Sequence, residues 1–149
     1  MHPIISWGWI LAALSMPWKY ALEARPEATF LLDEFFHPLA EGRWRAVTSL
    51  ITIIEVLTKP YSLGAEDVVD RYLLALFDCP NLEIKDINLP VAIRAAQLRG
   101  QEKLRTPDAI QVATALEAGA TVFLTNDRGI PRYVHGLEVL YLADYTAGG

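Results

Sequence analysis

Two acidic residues occupy positions from which carboxylates often bind metal ions. Asp108 lies in segment 105–116 (RTPDAIQVATAL), whose spacing predicts a helix with the aspartate in its first turn. Asp127 closely follows segment 121–124 (TVFL), which is typical of a buried strand. In open α/β sheets, the carboxyl ends of strands and the adjacent helix N-termini border one crevice, where ligands bind. Two carboxylates meeting there with a third would suit Mg²⁺ or Mn²⁺, which prefer hard oxygen ligands.

Glu55 is the candidate for the third carboxylate. It lies in a predicted helix, 50–58, but away from the apolar stripe that contains Ile53 and Leu57. A metal ion held by three such acids can generate a hydroxide nucleophile and stabilise the charge of a phosphodiester transition state. The three acids together would therefore suit a metal ion that assists hydrolysis.

Each acid also has a purely structural interpretation. Glu55 could pair with Lys59, four residues later on the same helix face. Asp108 would complement the helix dipole, which contributes roughly 0.3–1 kcal/mol. Asp127 stands in NDRG (126–129), an ordinary turn sequence. The metal hypothesis depends on the three acids meeting in the fold.

Other kinds of catalytic site find little support. The three histidines, His2, His37 and His135, stand in no recognisable catalytic setting. The chain has no glycine-rich phosphate loop and no Cys/His zinc spacing. Its one cysteine, Cys79, excludes an internal disulfide and favours a reducing compartment, so we expect a cytoplasmic protein.

The composition indicates one globular domain, residues 1–149. The 149 residues are 52% hydrophobic, which is enough to bury a sizeable core. The net charge of -5 argues against a protein that holds nucleic acid through a broad basic surface. A nuclease is not excluded, because metal-binding acids contribute to that negative charge.

Helices and strands are predicted to alternate, which favours a mainly parallel sheet. Helical segments are predicted at 18–23, 28–40, 50–58, 65–77, 90–98 and from a cap at Thr106 to about Gly119. Strands are predicted at 43–48, 82–87, 121–124 and 137–141.

The N-terminal segment is atypical. Residues 3–18 carry no formal charge and include several tryptophans and leucines. A buried first strand with its lead-in is one interpretation, and a targeting segment or membrane anchor is another. The run is shorter than the ~20 apolar residues that a membrane span needs.

Three stretches together resemble a known family. TSLITIIEVL (48–57), TPDAI (106–110) and LTNDR (124–128) look like the motifs of a PIN domain, in the expected order. The chain is most similar to the VapC-type toxins of prokaryotic toxin–antitoxin pairs, over about residues 18–145. This resemblance implies an α/β/α sandwich with a mainly parallel sheet. It also implies RNA cleavage that depends on Mg²⁺ or Mn²⁺.

The resemblance assigns roles to individual residues. Glu55 matches the family's second acid, Asp108 the third and Asp127 the fourth, as catalytic metal ligands. Asn126 would be an auxiliary oxygen donor. The family further implies a homodimer and a small antitoxin whose tail crosses the active site. The Trp- and Phe-rich N-terminal third could supply an apolar interface.

The family's first acid is missing. The alignment puts Leu14 where that aspartate should be, while Ser15 retains the neighbouring hydroxyl as an auxiliary group. No acid precedes Glu23. Either the site works with fewer ligands, or Glu23 or Asp33 reaches in, or catalysis is lost. Glu23 belongs to a helix that should run away from the site.

The sequence therefore leaves two main hypotheses of different classes. One is a metal-dependent ribonuclease of the toxin type. The other is a degenerate domain that binds a protein or RNA without cutting it. A third hypothesis is a membrane-tethered protein that uses residues 3–18. Four arginines, Arg43, Arg45, Arg128 and Arg132, could contact RNA phosphates or simply be solvated.

Overall fold

A single sheet organises the part of the chain that the computed structural model describes, residues 11–14, 32–125 and 128–146. Its strands are β1 (Leu11–Leu14), β2 (Arg45–Ser49), β3 (Leu82–Lys85), β4 (Val122–Thr125), β5 (Tyr133–Val134) and β6 (Leu137–Tyr141). A π-helical turn, Leu32–Phe36, leads into the first α-helix. The α-helices are α1 (His37–Ala40), α2 (Ile51–Ser62), α3 (Glu66–Phe77), α4 (Leu89–Glu102), α5 (Thr106–Glu117) and α6 (Ala143–Thr146).

The strand order is β3-β2-β1-β4-β6-β5. All neighbouring pairs are parallel except β5–β6, so the prediction of a mainly parallel sheet is confirmed. The chain moves outward from β1 through β2 to β3 and then returns to the other side of β1 with β4. This change of direction lies between β1 and β4, and α/β sheets commonly bind ligands at such a point.

Two apolar cores lie on opposite faces of the sheet because side chains alternate along a strand. In β2, Ala46 contributes to one core and Val47 to the other. Helices α4 and α5 cover the face that holds Val47, while α1, α2 and α3 cover the face that holds Ala46. The predicted α/β/α sandwich is confirmed.

Two helices are longer than predicted. The sequence predicts that the helix ends at residue 58, before Pro60, but α2 continues to Ser62. Pro60 lies in the last turn of α2. Because proline has no backbone N–H, the helix lacks one hydrogen bond there, the one to the Val56 carbonyl. The Pro60 ring is buried. Helix α4 runs four residues beyond its predicted end at Leu98, through an exposed Gly100.

The start of α5 also differs from the prediction. Thr106 is the first helical residue, and within the described part of the chain no side chain caps this helix. Helix α4, by contrast, has a side-chain cap, because Asn88 Oδ1 accepts a hydrogen bond from the Val91 N–H at 3.1 Å. Pro107 does lie at the start of α5, where a proline is tolerated.

The predicted strands are found with small shifts. β6 has the predicted bounds, and β2, β3 and β4 differ from prediction by one or two residues at an end. β5 was missed because two residues carry no periodic pattern.

The N-terminal predictions are tested only in part. A strand does occur within segment 3–18, at Leu11–Leu14, whereas the predicted helical turn at 18–23 lies outside the described residues. Among the described helices, none combines the length and apolar character that crossing a bilayer requires.

Candidate metal site at the carboxyl edge of the sheet

The central strands end together at one edge of the sheet. β1 ends at Leu14, which pairs in register with Thr48 of β2 and with Leu124 of β4. Helix α2 begins directly after β2, and the Ser49 hydroxyl accepts a hydrogen bond from the Ile51 N–H at 3.1 Å. The edge therefore brings polar side chains of β2 and α2 close to the end of β1.

Gln111 of α5 joins this edge to Glu55. The side chain is buried, with 2% of the residue exposed. Its Oε1 accepts a hydrogen bond from the Ser49 N–H at 3.3 Å. Its Nε2 donates to Thr52 Oγ1 at 2.8 Å and to Glu55 Oε1 at 3.1 Å. We call Ser49, Thr52, Glu55 and Gln111 the amide network.

Asp108 lies on the same side of α5, three residues before Gln111. It is buried at 8% exposure, which is unusual for an aspartate. Arg105 Nε donates a hydrogen bond to its Oδ2 at 3.1 Å, although the arginine side chain itself is 76% exposed. The predicted acid Glu55 thus contacts Gln111 directly, and the predicted acid Asp108 lies one helical turn before Gln111 on α5.

The remaining predicted site residues are not described. Ser15, Asn126 and Asp127 lie outside the described residues, so their role stays a prediction. The last described residue before Asp127 is Thr125, at the carboxyl end of β4. No group of three His, Cys, Asp or Glu side chains that could hold a metal is found within the described part of the chain.

The donors that are described suit a hard cation. Glu55 and Asp108 supply carboxylate oxygens, and Thr48 and Thr52 bring hydroxyl oxygens, which lie 2.7 Å apart. Mg²⁺ in proteins commonly takes one or two carboxylates and completes its shell with water and substrate phosphate. β1 ends at this edge with Leu14, a residue type that has no oxygen in its side chain.

A second group of charges lies next to this edge. Arg128 and Arg132 each donate a hydrogen bond to the Asp144 carboxylate, at 2.8 and 3.1 Å. Their guanidinium carbons lie 5.1 and 4.7 Å from the centre of the Tyr141 ring. Tyr141 pairs in register with Thr125, which ends β4. We call these four residues, Arg128, Arg132, Tyr141 and Asp144, the arginine cluster.

The arginine cluster shifts one titration. The hydrogen bond from Arg128 is the main reason that the pKa of Asp144 lies below its usual value of 3.8. Desolvation opposes this shift, and the hydrogen bond from Arg132 adds to it. Asp144 is therefore ionised at neutral pH, and both arginines carry a partner with an opposite charge.

The other two arginines that could contact RNA lie elsewhere. Arg45 is the first residue of β2 and thus lies at the opposite edge of the sheet from Ser49. Arg43 pairs with Glu41 at 2.8 Å, and both side chains are more than half exposed. Their positions fit solvated surface residues.

Gln111 and Thr52 were missed by sequence reasoning. Both are polar residues at buried helix positions, and Gln111 follows Asp108 by three residues, so the two share a helix face. That combination of spacing and polarity is the feature that could have identified them. Nothing in the sequence pairs Gln111 with Glu55, 56 residues earlier.

Comparison with known proteins places this geometry in context. The sequence profile of the PIN domain family matches residues 26–136. A chain in a toxin–antitoxin complex from Klebsiella pneumoniae is 28% identical, with a TM-score of 0.61, and the match covers 85% of this chain and 98% of that chain. No curated protein matches.

Two further solved structures share the fold at lower identity. VapBC2 from Rickettsia felis, bound to a DNA fragment from their promoter, gives a TM-score of 0.65 at 17% identity, over 89% of this chain and 98% of that chain. DNA-bound VapBC from Salmonella typhimurium gives a TM-score of 0.64 at 20% identity, over the same two shares.

Proposed function

This chain belongs to the PIN domain family, and from that premise we propose that it is a divalent-metal-dependent ribonuclease resembling the toxin of a type II toxin–antitoxin pair. The observation that carries the proposal is the hydrogen bond from Gln111 to Glu55, because Gln111 lies one helical turn after Asp108 on α5. Two acids on separate helices, 53 positions apart in the chain, border the point where α/β sheets bind ligands.

Glu55, Asp108 and Asp127 would hold Mg²⁺ or Mn²⁺. When bound, the ion would supply an activated water and stabilisation of the charge that builds on the phosphate during hydrolysis. Burial of Asp108 limits competition by water for its oxygens, and α5 fixes the position of its carboxylate. The Arg105 side chain is exposed, and a bound metal ion would replace it as the positive partner of the buried Asp108 carboxylate. Ser15 and Asn126 would orient the water or the ligands.

The arginine cluster supports RNA as the substrate. Arg128 and Arg132 are about half exposed, and they lie beside the end of β4. Arginine suits phosphate because its planar guanidinium can donate two parallel hydrogen bonds. We propose that these two arginines contact the RNA backbone on one side of the scissile bond.

Protein partners form a further part of the proposal. The chain in the Klebsiella pneumoniae complex, at 28% identity, supports a small antitoxin as the partner of this chain. Exposed apolar side chains, including Ile54, Tyr61 and Leu89, support contact with another protein chain, either the antitoxin or a second copy in a homodimer.

RNA cleavage tests the proposed function. The folded protein is incubated with a panel of structured and single-stranded RNAs, with Mn²⁺ or with EDTA. We expect cleavage that requires the metal and is lost in Glu55→Gln. The matched control is Glu41→Gln, an exposed glutamate before the opposite end of β2, which should cleave as the unaltered protein does. Cleavage that survives EDTA, or that survives Glu55→Gln, would contradict the proposal.

Leu14 favours a second candidate function. Its place at the end of β1, between Thr48 and Leu124, is where the resemblance expects the first acid. A domain without that carboxylate could bind a protein or RNA without cutting it. RNA binding without cleavage by the folded protein, under all metal conditions tested, would favour this candidate.

A further inference from the structure

We infer that Gln111 is a positioning residue that holds the Glu55 carboxylate in place for the metal ion. The inference rests on the proposed function, because it assigns Glu55 as a ligand. It begins with the three hydrogen bonds of the Gln111 amide to Ser49, Thr52 and Glu55.

The chemistry of the partners fixes the orientation of that amide. The Ser49 N–H can only donate, so it must face the amide oxygen, and the Glu55 carboxylate can only accept, so it must face the amide nitrogen. The amide oxygen and the amide nitrogen of Gln111 therefore each have a fixed partner. A flip of the side chain would break the hydrogen bonds to Ser49 and to Glu55. A buried amide with such a fixed orientation is a rigid donor.

Gln111 is anchored more firmly than the residue that it holds. It is almost fully buried and is tied to β2 through Ser49 and to α2 through Thr52. Glu55 is exposed, and an exposed glutamate on a helix samples several rotamers. One firm hydrogen bond from a buried group selects the rotamer that points toward α5.

The position of Gln111 also links the two candidate ligands. It follows Asp108 by three residues, so the same face of α5 carries one ligand and the residue that orients the other. Helix α5 thus carries the Asp108 carboxylate together with the donor that orients the Glu55 carboxylate of α2.

A neutral donor suits this task better than a cation would. A lysine or arginine at this position would neutralise Glu55 and compete with the metal ion for its charge. The amide nitrogen of Gln111 orients the carboxylate through one oxygen and leaves its negative charge available. Partners of this kind, which hold a ligand without touching the metal, typically change metal affinity 10–100-fold when removed.

A double-mutant cycle in Mn²⁺ binding tests the inference. Gln111→Leu keeps most of the side-chain volume and removes all three hydrogen bonds, and we expect it to weaken Mn²⁺ binding by about 10–100-fold. In a Glu55→Ala background, the same substitution should change the affinity less than about twofold, because its target is gone. Gln97→Leu on α4, an exposed glutamine, is the matched control and should have no effect.

Two results of the cycle would overturn the inference. Unchanged Mn²⁺ affinity in a folded Gln111→Leu protein would show that Glu55 needs no support. If Gln111→Leu reduced the Mn²⁺ affinity equally in the presence and in the absence of Glu55, Gln111 would not act through Glu55.

A measurement without metal tests the contact between Gln111 and Glu55 if Gln111→Leu does not fold or if the unaltered protein binds no Mn²⁺. The two side-chain amide hydrogens of Gln111 are followed by NMR in the unaltered protein and in Glu55→Ala. We expect a large shift of the hydrogen that faces Glu55 and little change of the one that faces Thr52. Absence of any shift would overturn the inference. Absence of Mn²⁺ binding together with that shift would contradict the proposed function alone.

Discussion

The amide network and the arginine cluster lie at the same edge of the sheet but differ in burial and charge. The amide network centres on a neutral side chain with 2% exposure, whose hydrogen bonds link β2, α2 and α5. The arginine cluster consists of three exposed charged side chains above a buried tyrosine ring. The buried hydrogen bonds of the amide network fix the positions of its side chains. The exposed ion pairs of the arginine cluster can exchange with other charged groups.

This difference indicates that the two groups suit different ligands. Buried hydrogen bonds are costly to break, because a group left without a partner loses its solvation as well. Exposed ion pairs are screened by solvent and exchange readily with other charges. A carboxylate that is held by a buried amide suits a metal ion, and exposed arginines suit an RNA backbone.

The largest expected difference in RNA cleavage is between the loss of Asp108 and the loss of Asp144 in the arginine cluster. Asp108→Asn should reduce RNA cleavage by more than about 100-fold, because loss of a ligand costs more than loss of its supporting partner. Asp144→Asn should change the rate by less than about threefold, since exposed ion pairs contribute little. Single-turnover cleavage rates measure both, and similar losses in the two variants would remove the distinction.

An acid at position 14, where the family resemblance expects one, should strengthen the binding of Mn²⁺. Leu14→Asp adds a carboxylate at the end of β1, and the affinity for Mn²⁺ should rise by roughly tenfold because ligand charge tunes metal affinity. Calorimetric titration of the variant and of the unaltered protein makes the comparison. An unchanged or lower affinity in a folded variant would mean that the end of β1 does not border the metal site.

If the arginine cluster contacts RNA phosphates, removal of either arginine should weaken the salt dependence of RNA binding. Arg128→Ala or Arg132→Ala should each reduce the slope of log K against log[salt] by about 0.7 for single-stranded RNA, which is the value expected for one lost phosphate contact. Binding is measured in EDTA so that no cleavage occurs. Arg43→Ala, at the far side of the sheet, is the control and should leave the slope as it is. Equal slopes in all the variants would rule out a phosphate contact by the cluster.

The smallest expected effect concerns pH. The pKa of Asp144 is lowered by its hydrogen bonds with Arg128 and Arg132, so the stability that these bonds add is present above the usual value of 3.8. It is lost as the pH falls through the lowered pKa, where the carboxylate takes up a proton. Melting temperatures of the unaltered protein and Asp144→Asn should therefore differ slightly at pH 6 and converge in acid. A difference that grows as the pH falls would contradict this assignment.

The fold could be predicted largely from the sequence, because its main elements have strong periodicity. Strand β6 has the predicted bounds, and the alternation of helices and strands correctly predicted the parallel sheet. Pro60 misled the prediction, since a proline in the last turn of a helix costs only one hydrogen bond. Thr106 misled it too, because a hydroxyl at the start of a helix need not cap it.

The candidate site was less accessible to sequence reasoning. Glu55 and Asp108 could be found from their residue types and from their places on helices. The contact between Glu55 and Gln111 could not, because it joins two helices on opposite faces of the sheet and depends on their tertiary packing. A glutamine at a buried helix position looks like any other polar residue until its partners are known.

Titration of the folded protein with Mn²⁺, followed by electron paramagnetic resonance, tests the central claim most directly. The account predicts saturable binding of Mn²⁺ that is lost in Asp108→Asn and kept in Asp144→Asn. Binding that is absent from the unaltered protein, or that persists in Asp108→Asn, would contradict the claim that the carboxyl edge of this sheet is a metal site.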